Sequence, residues 1–144
     1  MRFLGGVQPR AVAWRGFLGS AGAWTLQGFS MFSVIERDSG RWVGRVGAIQ
    51  HEGWPGTEIG WGIIREACGR GYAGEAAVAA MDWAVDQAGW SEIIHTIDPE
   101  NHASCQVARR LGSSILRRAT LPAPINEEID VWGQTADAWR VRRA

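Results

Sequence analysis

Cys68-Gly69-Arg70-Gly71-Tyr72-Ala73-Gly74 stands between a short apolar run, Thr57 to Ile64, and a segment from about Glu75 to Ala88. The run ahead of it reads as a strand. In the segment after it, Ala76, Ala77, Ala80, Met81, Ala84 and Ala88 recur at helical spacing, small enough to lie close on a sheet. Asp82 and Asp86 fall off that side, and Gly89 is a stop. Strand, glycine-rich loop and helix in this order can cradle phosphate. The first-turn N–H groups of a helix lack partners within it, the dipole adds partial positive charge, and glycine lets an anion approach the backbone. Arg70 adds a full charge. Each N–H bond to a charged phosphate contributes about 1.5–3 kcal/mol, so three or four anchor a diphosphate. The same stretch also reads as a plain strand-to-helix turn rich in glycine. Gly69, Gly71 and Gly74 match the dinucleotide fingerprint G-x-G-x-x-G, but the strand ahead belongs to an antiparallel series. No acidic residue closes a second strand about 20 residues on, as that fingerprint requires.

Upstream, residues 8–26 read as a helix with Val12, Phe17, Leu18, Trp24 and Leu26 on one apolar side, weakened by Gly16, Gly19 and Gly22. Phe29 to Glu36 and Arg41 to Gln50 alternate as strands around the turn Asp38-Ser39-Gly40 and predict a hairpin, with Pro55-Gly56 turning into the strand at 57–64. Downstream, Glu92 to Ile97 is apolar on both faces and reads as a central strand. Asp98-Pro99-Glu100-Asn101 is a turn, and a helix runs to Leu111 with Gly112 as its stop. Residues 113–121 and 128–133 form a final strand pair around Pro122 and Pro124. The order predicts one α/β domain over residues 1–144 with a mixed sheet, and no repeats.

Composition narrows the chemistry. The chain has 144 residues, enough for one domain with a real core. Fifteen basic and fifteen acidic residues cancel, which argues against holding nucleic acid by bulk charge. Every basic residue is Arg, so Schiff-base lysine chemistry and a Gly-Lys-Ser/Thr P-loop are excluded. Cys68 and Cys105 cannot make a disulfide scaffold or a four-cysteine zinc site, and three scattered His give no metal site. There is no apolar run of membrane-spanning length and no signal-peptide pattern, which reads as a cytoplasmic protein.

Three segments together resemble the GNAT superfamily of acetyl-CoA-dependent N-acetyltransferases, in its RimJ/RimL-like branch of ribosomal-protein N-terminal acetyltransferases. They are Gly44-Arg45-Val46-Gly47 running to Glu58-Ile59-Gly60-Trp61; Gly69-Arg70-Gly71-Tyr72-Ala73-Gly74-Glu75-Ala76; and Pro99-Glu100-Asn101-His102-Ala103-Ser104 through Arg110-Leu111-Gly112. The likeness spans roughly residues 28–133. It implies a mostly antiparallel sheet flanked by helices, with the strand at 57–64 splayed from the parallel strand at 92–97 and acetyl-CoA, as cosubstrate, entering the gap. It also implies pantetheine contacts at Ile63 and Ile64, a diphosphate on the backbone of Gly69, Arg70, Gly71, Tyr72, Ala73 and Gly74, and a further contact from Asn101, a residue that equally reads as a helix cap. Cys68 stands where relatives often carry Gln or Arg.

Acetyl transfer to an amine needs a base and gains from an acid at the leaving thiolate. The Tyr that many relatives use as acid corresponds to Ala108, which leaves Ser104 as the hydroxyl on that stretch; it also reads as an ordinary first-turn Ser. Glu58 is the candidate base, otherwise a solvated strand-end Glu. His51 is the other candidate, otherwise an exposed turn residue. His95 reads as a satisfied core residue, His102 as exposed and Cys105 as buried packing. Relatives carry a first strand and helix ahead of the point matching Met1, so the resemblance implies an N-terminally short domain: either the first strand is missing, another subunit completes the sheet edge, or the start is misassigned. A missing strand leaves an open edge beside the hairpin at 29–50, and hence a homo-oligomer is expected. The acceptor is an amine of a protein N-terminus or a small molecule; the other reading is a non-catalytic CoA-binding or interaction domain.

Overall fold

A computed structural model describes residues 6–144. In chain order it contains α1 (Arg10–Leu26), β1 (Met31–Ile35), β2 (Trp42–Ile49), β3 (Glu58–Ile63), a 3-10 turn (Arg65–Ala67), α2 (Tyr72–Asp86), β4 (Glu92–Ile97), α3 (His102–Arg110), β5 (Ser114–Thr120), β6 (Glu128–Thr135) and α4 (Ala136–Arg143). The six strands lie in the order β1-β2-β3-β4-β6-β5. Every neighbouring pair is antiparallel except β3 with β4. This is the mixed, mostly antiparallel, helix-flanked sheet that the sequence implies.

The alanine spacing of α2 does what small side chains allow. Ala77, Ala80, Met81, Ala84 and Val85 are buried and pack with Val46, Ala48, Ile59 and Ile93 of the sheet. β4 is central, with Ile93, Ile94, His95 and Ile97 all buried. Because side chains alternate along a strand, Ile93, His95 and Ile97 face one side and Ile94 and Thr96 the other. On the first side lie α2 and α3, whose Cys105 and Ala108 pack with Ile97 and Trp132. On the second, Ile94 packs with Leu121, Ile129, Val131 and Trp54.

Four details differ from the sequence reading. The helix of the central unit starts at Tyr72, because Gly71 takes a left-handed φ of 88° that turns the chain into its first turn. At the other end, Ala88 is exposed and Val85 holds the inner position. The Arg-rich end of the chain is a helix, α4. Thr135 caps it by accepting from Ala138 N–H, Trp139 is buried and donates to Asp82 at 2.9 Å, and Arg143 reaches Asp82 at 2.5 Å and Asp86 at 2.7 Å. The two acids outside the apolar side of α2 therefore receive another helix. The apolar side of α1 does not enter the core: none of its residues is buried, Trp14 and Phe17 stack on each other in solvent, and Trp24 alone makes ring contacts with Phe32 and Trp83. β1 is one edge of the sheet among the described residues, and β5 the other.

Candidate active site

β3 keeps six register pairs with β2 but one with β4, Glu58 opposite Ile94. Beyond that point the two parallel strands part. Ile94 N–H donates to Thr57 C=O at 3.0 Å, so the odd-numbered peptide groups of β3 face β4 and the even-numbered ones face β2. Ile64 follows the pattern, its N–H donating to Val43 C=O at 2.9 Å. Trp61 and Ile63 thus turn their backbone polar groups into the gap, whereas Ile64 turns its own away. Trp61 is a residue the sequence reading missed; the period-2 rule applied from Thr57 was the signal that could have found it.

Glu58 sits at the closed end of the gap, 5% exposed. It is not the solvated strand-end residue that its position in the sequence also allowed. Oε2 accepts from Trp54 Nε1 at 2.6 Å and from the Thr96 hydroxyl at 2.8 Å, and Oε1 accepts from Thr96 N–H at 3.2 Å. Burial pushes its carboxyl above the ordinary 4.5, against the downward pull of those three bonds. Trp54 and Thr96, which hold it, carried no sequence signal.

On the helix face, Trp61 Nε1–H donates to the Ser104 hydroxyl oxygen at 3.3 Å, and its ring packs against His95 with centroids 4.9 Å apart. Ser104 lies in the first turn of α3, where Asn101 Oδ1 accepts its N–H at 3.2 Å; Asn101 is the helix cap. His95 is 1% exposed and hydrogen-bonded through both ring nitrogens, and burial holds it down at about 4. Cys105 is buried, which raises its thiol. Glu58 and Ser104 therefore stand on opposite faces of the sheet with the gap between them.

At the open end, the loop 68–71 carries left-handed glycines at Gly69 and Gly71, and the Cys68 thiol lies against the carbonyls of Ile63 and Ile64. Tyr72, Ala73 and Gly74 are the first turn of α2 rather than loop, so their N–H groups are the helix-end donors. Arg70 and Tyr72 both reach Glu36. His51 is exposed and lines, with Gln27, Phe29, Gln50, Glu52, Gly53 and Trp54, a hollow of about 490 Å³ on the Trp54 side of Glu58. Among the described residues no three His, Cys, Asp or Glu side chains gather as a metal site. No helix there is long and apolar enough to cross a membrane.

Residues 1–114 match the family model described as an acetyltransferase (GNAT) domain. This chain belongs to the GNAT acetyltransferase family. It is similar to the uncharacterized protein YkkB of Bacillus subtilis (strain 168), 31% identical over 105 residues that cover 69% of this chain and 61% of that one. The chain spans about half to three fifths of the curated relatives it matches. Its fold is that of the acetyltransferase of Agrobacterium tumefaciens str. C58, at a TM-score of 0.78 and 28% identity over 92% of this chain and 76% of that chain. The ribosomal-protein-S5-alanine acetyltransferase of Vibrio fischeri superposes with a TM-score of 0.72 over 92% of this chain and 78% of that one; at 20% identity it shares the fold. GNAT enzymes transfer acetyl groups and use acetyl-CoA as cosubstrate.

Proposed function

We propose that this chain is an N-acetyltransferase that moves acetyl from acetyl-CoA to a primary amine of a protein N-terminus or a small molecule. The observation that carries this reading is the gap between β3 and β4, walled by the peptide groups of Trp61 and Ile63 and closed by a buried carboxylate. The donor set fits a pantetheine diphosphate. Strand N–H and C=O groups suit its amide arm, and the Asn101 side chain adds a contact near the α3 end. The backbone of Gly69 to Gly74 with Arg70 suits its phosphates. When bound, the donor supplies the thioester.

Glu58 is the base in this reading. A carboxyl raised by burial is a better proton acceptor near neutrality than an ordinary one. Both its oxygens already hold donors, so the amine's proton reaches it through the Thr96 hydroxyl or a water molecule. Ser104 is the acid. Trp61 donates to its oxygen, which leaves the Ser104 hydroxyl hydrogen to be given to the departing sulfur. His51 lines the hollow beside Trp54 and belongs to the acceptor side.

The RimJ/RimL-like motif set favours a protein N-terminus as acceptor. We read residues 1–114 matched by the family and the elements that follow as one acetyltransferase domain working in the cytoplasm. Self-association is expected from the edge of β1, unpaired among the described residues, together with the exposed Trp14, Phe17 and Leu26 of α1. A sedimentation boundary at monomer mass across micromolar concentrations removes that expectation.

Mass spectrometry of the native protein for copurified CoA, followed by thiol release over a panel of peptides and small amines, tests the function. Glu58→Gln is expected to lower kcat by ~10²–10⁴ while leaving CoA affinity within a few-fold. Full turnover in that variant moves the base to His51 or to water. Bound CoA with no turnover on any amine selects a non-catalytic CoA-binding domain instead.

A further inference from the structure

The point where β3 and β4 part is built by two side chains. With Ile94 N–H on Thr57 C=O, continuing the parallel ladder requires Thr96 N–H to donate to Ile59 C=O. That bond is not made. Thr96 N–H donates to Glu58 Oε1 at 3.2 Å, and Ile59 C=O accepts from His95 Nδ1 at 2.7 Å. Glu58 and Thr96 lie on one face and His95 on the other, so the missing rung is capped from both sides.

We propose that His95 is a positioning residue of the donor gap: by taking the Ile59 carbonyl it keeps β3 and β4 from zipping, so the peptide groups of Trp61 and Ile63 stay open to the donor's arm. The inference rests on the reading of that gap as the donor site. The hydrogen-bond directions leave the ring one arrangement. A carbonyl can only accept, so Nδ1 carries the hydrogen and Nε2 of the neutral ring accepts from the Ser113 hydroxyl at 3.1 Å. Ser113 oxygen in turn accepts from Gln134 Nε2 at 3.0 Å, and the same amide donates to Leu111 C=O at 2.9 Å. The chain ends at the backbone that follows α3, and the Trp61 ring covers the imidazole. An imidazole so held has no freedom to release Ile59.

Two substitutions separate this role from core filling. His95→Asn places an amide nitrogen where Nδ1 stands and still donates to Ile59. His95→Gln reaches Ser113 where Nε2 stands and leaves Ile59 without a donor. Both lose ring volume, so both lower the melting temperature. CoA affinity by calorimetry is expected to stay within about threefold in His95→Asn and to fall about tenfold or more in His95→Gln, the loss of roughly one hydrogen bond's net contribution. A through-hydrogen-bond NMR coupling between Thr96 N and Ile59 C=O is expected in His95→Gln, where the freed carbonyl competes with Glu58 Oε1 for the Thr96 N–H, and absent in the wild type and in His95→Asn. Equal weakening by both substitutions, or a His95→Gln protein with neither weaker binding nor the coupling, overturns the proposal. If the wild type binds no CoA yet the coupling appears in His95→Gln, the wedge stands and the assignment of the gap to the donor fails.

Discussion

Tyr72 donates its phenolic hydrogen to Oε1 of Glu36 at 2.5 Å, tying the first residue of α2 to the end of β1. Arg70 meets the same oxygen at 2.8 Å and lies over the Tyr72 ring at 5.2 Å, and Ser39 donates to the other oxygen at 2.5 Å. One carboxylate from the hairpin thus holds both residues that flank Gly71. The glycines give the loop its turn but no rigidity; Glu36 supplies it from two strands away.

Glu36→Gln is expected to weaken CoA binding by less than tenfold, because the Arg70 side chain is half exposed and such pairs contribute little each. Its pH signature is sharper. The Ser39 and Tyr72 hydroxyls, then the charges of Arg70 and Arg41, hold the carboxyl down at about 2 against an ordinary 4.5. The unfolded chain therefore binds this proton first as pH falls. The stability from Glu36 is full above pH 4.5 and is lost as pH drops from 4.5 toward 2. Urea midpoints over that window should flatten in the variant. An unchanged slope removes Glu36 as the loop's anchor.

Gly71 and Gly74 make different demands. Gly71 has φ of 88°, so Gly71→Ala strains the backbone by about 1–2 kcal/mol even though open space surrounds its Cβ. Gly74 is helical and also faces open space, so Gly74→Ala gains roughly 0.5–1 kcal/mol of helix stability. If diphosphate seats on this backbone, both weaken CoA binding, one with a lower and the other with a higher melting temperature. A Gly74→Ala protein that is more stable and binds CoA unchanged places the phosphates elsewhere.

The strand, glycine loop and helix from Thr57 to Asp86 were legible because strand alternation, a glycine run and alanine spacing are local patterns. The hairpin, the central β4 and the buried readings of His95 and Cys105 were legible for the same reason. The state of Glu58 was not: its burial depends on Thr96, 38 positions on, and on Trp54 folding over it. α4 was hidden because its hold on the fold is Trp139 and Arg143 meeting Asp82 and Asp86, a tertiary match with no signature in a short Arg-rich tail. α1 misled in the opposite sense. Its apolar spacing is helical and the helix forms, but three glycines leave no continuous surface to pack, and only Trp24 docks.

Acid stability separates the two side chains that hold the strands apart. His95 takes up a proton near 6.5 in the unfolded chain and at about 4 in the native one. Between those values the unfolded state binds more protons, so the stability from neutral His95 is intact above pH 6.5 and declines as pH falls toward 4, by up to about 3 kcal/mol. Glu58 acts with the opposite sign. Its raised carboxyl keeps its proton in the native state where the unfolded chain has lost it, so its part is present below 4.5 and is lost as pH rises above that value. In the wild type the two slopes partly cancel between pH 4.5 and 6.5. Denaturation followed across this window should therefore show a flatter acid loss in His95→Asn and a steeper one in Glu58→Gln. If both variants keep the wild-type slope, the two groups are not buried as a pair at the head of the gap, and neither caps the missing rung.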